Sequence, residues 1–575
     1  MVYTTGSWDL SDLDSKDVKK VCAEIDGKVK LLEGQRILLV DTISVKDFLE
    51  FTRNYEELTR ITERLGVFCH LQFAENTQNQ QALALQSKVN TFLTEIGNRL
   101  LFFSHWFKGL SEAKAQELIK ASGKYHYYFE RLRDFKPHTL LENEEKIINI
   151  KDANGVSALN TIYDVLTSKL VFHHRGKSLT QEELLSLVRG SQASVRKEAY
   201  VELLSKYKEH KEVIGEIYKN VVNDWRSENM GLRHYPSPIS VRNKANDLPD
   251  EAVSVLLRVC EKNEKLFQRF FKIKQRKLKL KTFRRFDLYA PLKSEKVNIS
   301  YDKAVQLVLS SMQSFHPRFK EHAQQIIDKK HVHSQIVKGK QSGAFCCMAT
   351  TQLPPYVLLS YKGDTRSIST LAHELGHGVH AMLATHQSEF TNHAPLPLAE
   401  TASIFSEMIL SENLLKENPK QAQELMFSKL EDVYASIIRQ AGFIRFELKA
   451  HKLIEEGKTI DEMSAVYLAD LKKQLGPGVV VDPLYAYEWC YVSHIFHTPF
   501  YCYAYAFGNL LTLALYEMYR QEGRPFADKV VAFLAKGGSE RPIEIAKVVG
   551  ADITSEAFWQ KGFDVVKRMI DEVDM

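Results

Sequence analysis

The chain is poor in the residues that mark specialised architectures. Its 575 residues include seven cysteines, at positions 22, 69, 260, 346, 347, 490 and 502. The odd count and irregular spacing exclude a disulfide framework, and no pair has the C-x-x-C form of a metal clip. Proline (16) and glycine (27) are sparse, which excludes a collagen-like or linker-rich chain and leaves long stretches without a breaker. Long apolar runs are missing too. The richest, 500–516, is studded with tyrosine and interrupted by Gly508 and Asn509, whereas a bilayer span takes about twenty mostly apolar residues. Neither sign of charge dominates: Lys+Arg 77 against Asp+Glu 72 leaves +5, which gives no reason to expect nucleic acid or a membrane as partner. The opening MVYTTGSWDLSDLDSKD is polar and acidic, unlike the basic-then-apolar start of a secretory leader. These absences predict a soluble protein of a reducing compartment, the cytoplasm.

What remains is ordinary globular composition, 44% hydrophobic and 26% charged, enough to bury a large core. Apolar residues recur three and four apart over 82–103, 181–207, 252–274 and 420–456, predicting helices. Strands are predicted only at 355–361, closed by the turn Lys362-Gly363-Asp364, at 343–348, and near 286–289. The class is mainly α with a small sheet, and no repeat indicates a solenoid. A weak break at Arg189-Gly190-Ser191 divides a helical N-terminal region, 1–189, from 190–575, and the two can still pack as one body. The basic run 265–285 is interleaved with Phe267, Phe270, Phe271 and Ile273. Helical apolar spacing makes it an amphipathic helix with its aromatics inward, not a nucleic-acid surface.

The chemistry is concentrated at Leu371-Ala-His-Glu-Leu-Gly-His377. His373 and His377 are one turn apart on a helix, so both imidazoles project from one face and can hold one zinc ion. Glu374 is placed to act as general base. A chance HExxH in a chain of this composition is expected about 0.05 times. The predicted strand, turn and helix from Ser367 set the motif beside a sheet, with Leu371, Leu375, Val379 and Leu383 as the packing face. A catalytic zinc needs a third protein ligand. The continuation HxxGxxH is excluded, because His380 and Leu383 stand where its glycine and histidine belong. Glu400, in the first turn of a helix opened by Pro395, is assigned as ligand. Glu407, nearly two turns on, is assigned as acceptor of a ligand imidazole N–H. His380 is the rival ligand, read instead as a hydrogen-bonded neighbour, and His386 and His393 are weaker still.

Towards the C-terminus lies HIFHTPFYCYAY, with His494, His497, Tyr501, Tyr503 and Tyr505. Pro499 suits the first turn of a helix, on which Tyr501 and Tyr505 would share a face and Tyr503 would point elsewhere. Imidazole and phenol donors of this kind can stabilise an oxyanion beside a metal.

Together LAHELGHGVH, PLAETASIFSE, the upstream GAFCC and PPYVLLSY, and the downstream HIFHTPFYCYAYAFG resemble peptidase family M3, in its oligoendopeptidase F-like branch. The likeness runs from about residue 190 to the C-terminus, includes RNKANDLPDEAV and RRFDLYAPL, and continues more faintly through the N-terminal region. It implies one zinc per chain on His373, His377 and Glu400, with Glu374 as base. It also implies catalytic or substrate contacts from His497, Tyr501, Tyr505, His494 and Tyr503, their roles left open because relatives differ in spacing here. A multi-helix zincin-type fold is implied, with a small sheet beside the HExxH helix and a deep cleft between lobes that admits short unstructured peptides. Gly343, Ala344 and Phe345 are implied to pair with the substrate backbone. The expected function is zinc-dependent hydrolysis of internal bonds in short oligopeptides. Two alternatives stand beside it: a helical peptide-binding protein with a structural metal, which has no need of Glu374, and a zinc exopeptidase with the same ligands and a differently closed pocket.

Overall fold

The computed structural model describes residues 2–13, 15, 17–292, 298–417 and 419–574. Helices dominate, with a two-stranded and a three-stranded sheet between them. The chain forms two compact units, each discontinuous in sequence: Met1–Pro137 with Lys296–Leu414 and Met518–Ala551, and His138–Glu295 with Leu415–Glu517 and Asp552–Met575. Position 190 falls inside the second unit. No helix among the described residues is long and apolar enough to cross a membrane.

In the first unit the helices Val45–Glu75 and Gln80–Gly109 start at side-chain caps. Ser44 accepts from the Asp47 amide and Asn79 from those of Gln81 and Ala82, satisfying donors that the first turn leaves unpaired. Their aromatic residues fall three and four apart and so share a face. Phe51 lies 4.5 Å from Phe103, and Phe48 and Phe107 lie 4.8 and 4.6 Å from Phe129, ring centre to ring centre.

That core extends to the three-stranded sheet. Strands β1 (Phe172–His174) and β2 (Lys177–Leu179) form a separate hairpin in the second unit. In the first unit β3 (Val332–His333), β4 (Phe345–Cys347) and β5 (Tyr356–Leu358) are ordered β3-β5-β4. The central β5 pairs parallel with β3 and antiparallel with β4, Cys346 opposite Val357. Tyr356 and Leu358 join the aromatic core, which leaves Val357 on the opposite face. The outer side of β3 is covered by the N-terminal segment, where Gly6 accepts from the Ser334 amide and the Asp9 amide donates to Lys330, both at 2.9 Å. Among the described residues, no backbone group is hydrogen-bonded along the outer edge of β4.

After β5 the chain turns at Gly363, whose φ of +81° favours glycine, into the HExxH helix, Thr365–Leu383. Asp364 caps it, accepting from the Ser367 amide at 2.8 Å and the Ser367 hydroxyl at 2.5 Å. Leu371, Leu375, Val379 and Leu383 are all buried, as the motif's periodicity predicts, together with Ile368. Gly378 lets the helix Pro317–Asp328 approach, since a Cβ there would lie 2.5 Å from Ile326 Cδ1.

In the second unit three predicted helices are interrupted. The 181–207 stretch breaks between Gln181–Leu187 and Ala193–Glu209, where the Arg196 guanidinium binds the Gly190 and Ser191 carbonyls. The 252–274 stretch breaks at Asn263, and 420–456 carries a π-helical turn at Tyr434–Ile438. The strand predicted near 286–289 is instead a 3-10 turn, Arg285–Asp287. One local and one distant bond win there: Asp287 caps the Arg284 amide at 3.0 Å and pairs with buried Arg196 at 2.6 Å. In the basic run Phe267, Phe270, Phe271 and Ile273 are buried, as an amphipathic helix requires. Lys274 is the exception, buried against Glu431 and the Leu288 carbonyl.

Removing the Asp364 cap with Asp364→Ala is expected to lower unfolding stability by about 1 kcal/mol, measured by urea denaturation, without changing the metal stoichiometry.

Candidate active site

Helical spacing puts His373 and His377 side by side, their ring centres 4.8 Å apart and their planes at 82°. Glu400 sits where the short helix Leu396–Ala399 gives way to Thr401–Glu417. Its Oε2 lies 3.4 Å from the Nε2 of each histidine. A tetrahedral zinc with bonds of about 2.0–2.2 Å spaces its ligand atoms roughly 3.3 Å apart, which both glutamate–imidazole spacings match, and the three ligand atoms all lie within 4.8 Å of one another. Each of the three side chains is about a quarter exposed (26, 23 and 27%), which leaves one side of the site open. The Ser403 hydroxyl donates to Glu400 Oε2 at 2.9 Å and fixes the carboxylate.

This meeting depends on Gly376. A Cβ there would fall 2.6 Å from Ser403 Cα, 2.7 Å from the Ala402 carbonyl oxygen and 2.9 Å from Ser406 Oγ. The HExxH helix and Thr401–Glu417 therefore touch backbone to backbone at the level of the metal residues.

Glu407 completes the support. Its Oε1 accepts from His373 Nδ1 at 2.6 Å, and its Oε2 accepts from the Ser369 hydroxyl at 2.8 Å. With Nδ1 engaged by Glu407, Nε2 faces Glu400 and the metal position, and is the nitrogen that would ligate a bound metal. Burial works to lower the His373 pKa, but the hydrogen bond and charge of Glu407, with Glu400 and Glu374 behind it, raise it to about 9. Burial works to raise Glu400, and the His377 hydrogen bond and the two imidazole charges outweigh it, bringing it to about 2. Glu374 is buried, and that burial raises its carboxyl above the usual range against the pull of His373 and His377.

The rival histidines have other partners. His380 is buried and hydrogen-bonded to the Ala399 backbone, just before Glu400; burial and the neighbouring His377 lower its pKa to about 4. His386 Nδ1 bonds the Leu383 carbonyl at 3.2 Å. Neither belongs to the metal-competent grouping of His373, His377 and Glu400.

Cys346 on β4 approaches the same helix, 3.9 Å from where a Gly378 Cβ would sit. Burial raises its thiol pKa, and Glu374 adds to the rise, so the open-edged strand runs beside the carboxyl proposed as base. Gly343 turns the chain into this strand with φ +86°. The Phe345 ring packs on His70 and Trp8, 5.3 and 6.3 Å away, so only its backbone is available at the edge.

In the second unit, His494–His497 is a short helix, and the next helix begins at Tyr503, not at Pro499. Tyr501 thus stands in the turn before the helix that carries Tyr505. The rings still meet, 5.3 Å apart and edge to face. His494 lies against Tyr501 at 5.8 Å, its Nε2 3.4 Å from the Tyr505 hydroxyl. These three side chains form one partly exposed group. His497 instead bonds Asp164 at 3.0 Å. Tyr503 is fully buried, its hydroxyl accepting from Asn246 at 2.8 Å.

Sequence reasoning missed Ser369, Ser403 and Gly376. The signals were present: Ser369 stands one turn before His373, and Gly376 faces the small residues Ala402, Ser403 and Ser406.

The model of peptidase family M3 matches residues 186–565, more than half of the chain. The chain belongs to peptidase family M3. The Oligopeptidase F model matches residues 106–172 of this M3 peptidase. Oligopeptidase PepF of Bacillus subtilis is 26% identical to it over 543 residues, 90% of this chain and 80% of that protein. Group B oligopeptidase PepB of Streptococcus agalactiae is 25% identical over 585 residues, 99% of this chain and 96% of that one. A crystal structure from Chlamydophila abortus shares the fold with a TM-score of 0.87 at 24% identity, covering 99% of this chain and 98% of that one. Oligoendopeptidase-F from Enterococcus faecium does so at 0.73 and 21%, covering 98% of both chains. The M3 chain is accordingly a metalloendopeptidase, and His373, His377 and Glu400 are its candidate metal residues.

Two variants test the assembly of this centre. Glu407→Gln is expected to weaken metal affinity about 10–100-fold, read by competition with a chromophoric chelator. Gly376→Leu, which cannot fit between the helices, is expected to lose stoichiometric metal on dialysis while circular dichroism reports an intact helix content.

Proposed function

We propose that this M3 peptidase is a zinc-dependent endopeptidase cutting internal bonds of short, unstructured oligopeptides. The observation that carries this reading is the partly exposed trio His373, His377 and Glu400, with Glu374 on the next position of the same helix. Three protein ligands and an open side are what a catalytic zinc takes, whereas a structural zinc is closed by four. Held there, zinc would supply Lewis acidity to the scissile carbonyl and lower the pKa of the attacking water.

The chain's own residues do the rest. Glu374 takes the proton of the attacking water and returns it to the leaving amine. Its raised carboxyl pKa favours holding that proton between the two steps. Glu407, anchored by Ser369, keeps His373 in the tautomer that offers Nε2. The outer edge of β4 offers backbone groups to an extended peptide by strand addition, with Gly343, Ala344 and Phe345 as the contacting residues. An extended substrate has no fold of its own, which supports a preference for short peptides. His494, Tyr501 and Tyr505 are the donors assigned to the substrate oxyanion. The names of the relatives, oligopeptidase and oligoendopeptidase, support the same substrate class, and the seven free cysteines support a cytoplasmic location.

The test is hydrolysis of an end-blocked, internally quenched peptide. Glu374→Gln is expected to retain zinc, counted by metal analysis, and to lose about 10²–10⁴-fold in kcat. Zinc-loaded Glu374→Gln with undiminished turnover would remove Glu374 as the base. A wild type that cleaves only peptides with free ends would make the protein an exopeptidase.

A further inference from the structure

The turn that delivers Tyr501 is held in a conformation its sequence disfavours. Phe500 has φ +59°, in the left-handed region that costs a residue with a Cβ roughly 1–2 kcal/mol. Such strain persists only where the surroundings over-determine it. Here they do so through a single peptide group. Its carbonyl, on Pro499, accepts from Arg242 Nε at 3.2 Å, and its N–H, on Phe500, donates to Glu447 Oε1 at 2.8 Å. A guanidinium donor and a carboxyl acceptor therefore grip the two poles of the Pro499–Phe500 peptide.

Glu447 has no exposed surface, and its second oxygen has no hydrogen-bond partner. Leaving a carboxyl oxygen unpaired in the interior is costly, and a purely apolar side chain would avoid that cost. One turn further along the same helix, Arg439–Glu455, His451 sets its buried ring 4.7 Å from that of Phe500. Asn246, at the end of the helix Pro238–Ala245 that carries Arg242, binds the Tyr503 hydroxyl. Two helices thus supply four side chains to residues 499–503. The residue between the gripped peptide and Tyr503 that keeps exposed surface is Tyr501.

We propose that Glu447 and Arg242 are positioning residues that clamp the Pro499–Phe500 peptide, lock Phe500 in its left-handed conformation and so present Tyr501 against His494 and Tyr505. The effect on turnover rests on the substrate role assigned above to those three residues; the effect on the backbone does not. Four groups from three segments interact electrostatically with the Glu447 carboxyl: Arg242, the Phe500 amide and Cys502 thiol of the turn, and the Tyr218 hydroxyl. Burial raises its pKa to about 8, against the Phe500 hydrogen bond and the Arg242 charge. Glutamine, neutral and with the same acceptor oxygen, is then its conservative substitute.

The experiment compares zinc-loaded wild type, Glu447→Gln, Glu447→Leu and Arg242→Met with Tyr501→Phe. It reads kcat and KM separately on the quenched peptide, and the Phe500 backbone in a crystal structure of Glu447→Leu. Glu447→Leu and Arg242→Met are expected to lower kcat at least tenfold with KM within threefold, Glu447→Gln to stay within threefold of wild type, and Phe500 to leave the left-handed region in Glu447→Leu. If Glu447→Leu does not fold, Arg242→Met carries the same kinetic and crystallographic expectation. A clamp variant that keeps φ near +60° at Phe500 overturns the proposal, as does full kcat in a clamp variant when Tyr501→Phe is impaired. Full kcat in Tyr501→Phe overturns the assigned role of Tyr501 instead, and Phe500 in the crystal still decides the clamp.

Discussion

The candidate metal centre depends on one contact, the backbone approach of two helices at Gly376. Histidines spaced i and i+4 make two ligands from any helix, and such pairs need no tertiary structure. The third ligand comes from another segment and has to arrive within a few tenths of an ångström. Glu400 reaches both imidazoles at 3.4 Å because the helix that follows it lies where a side chain on residue 376 would have been. Ala402, Ser403 and Ser406 present small surfaces to the same contact, and Ser403 also fastens the Glu400 carboxylate. Close packing and ligand placement are the same requirement, which is why small residues fill both sides of the contact.

Given that contact, the electrostatics follow. Glu374, Glu400 and Glu407 crowd two imidazoles in a mostly buried setting, and like charges so close are costly unless positive charge is shared among them. The environments separate their roles. Glu400 is stabilised as a carboxylate by His377 and Ser403, Glu407 is committed to His373 and Ser369, and Glu374 is left with burial and a raised pKa. On the function proposed above, three carboxyl groups of one chemistry thereby serve as ligand, anchor and base. A dication bound to the histidines and Glu400 would balance the excess negative charge that this crowding creates.

The sequence made the metal helix legible because every part of it is local. Its cap at Asp364, its packing face and the pairing of His373 with His377 all lie within twenty residues, where helical periodicity governs. Glu400 and Glu407 were expected on one helix, but Glu400 stands at the junction between Leu396–Ala399 and Thr401–Glu417, so helical spacing alone does not set their common direction. The sheet was legible as strands at 343–348 and 355–361, but not in its order, because the short β3 (Val332–His333) gives no alternating pattern and pairs with β5 instead of with the next strand in sequence. The failures were of another kind. Near residue 286 a strand-like composition gave way to the local Asp287 cap and to the buried Arg196 and Glu488 partners, the last two from distant segments. Helix geometry set Tyr503 apart from Tyr501 and Tyr505, and only the family resemblance implied it as a substrate contact; its ring is buried and its hydroxyl held by Asn246. The helix itself was expected to start at Pro499. The helix starts later, because the preceding turn is fixed by Arg242 and Glu447, which lie 257 and 53 residues away.

That turn also explains why its strained position is held by phenylalanine. Glycine would adopt a positive φ freely, yet it would leave the peptide able to rotate when unclamped. Phe500 is fully buried, and burying such a ring is worth about 1.5–3 kcal/mol, comparable with or larger than the roughly 1–2 kcal/mol of backbone strain. Ring burial thus offsets the cost of the conformation, and the clamp on the neighbouring peptide removes the alternatives. The two sites reach rigidity by opposite choices: glycine where two backbones must touch, and a large buried side chain where one backbone must not move. In each case the choice at a residue with no chemistry of its own determines where the reactive groups stand.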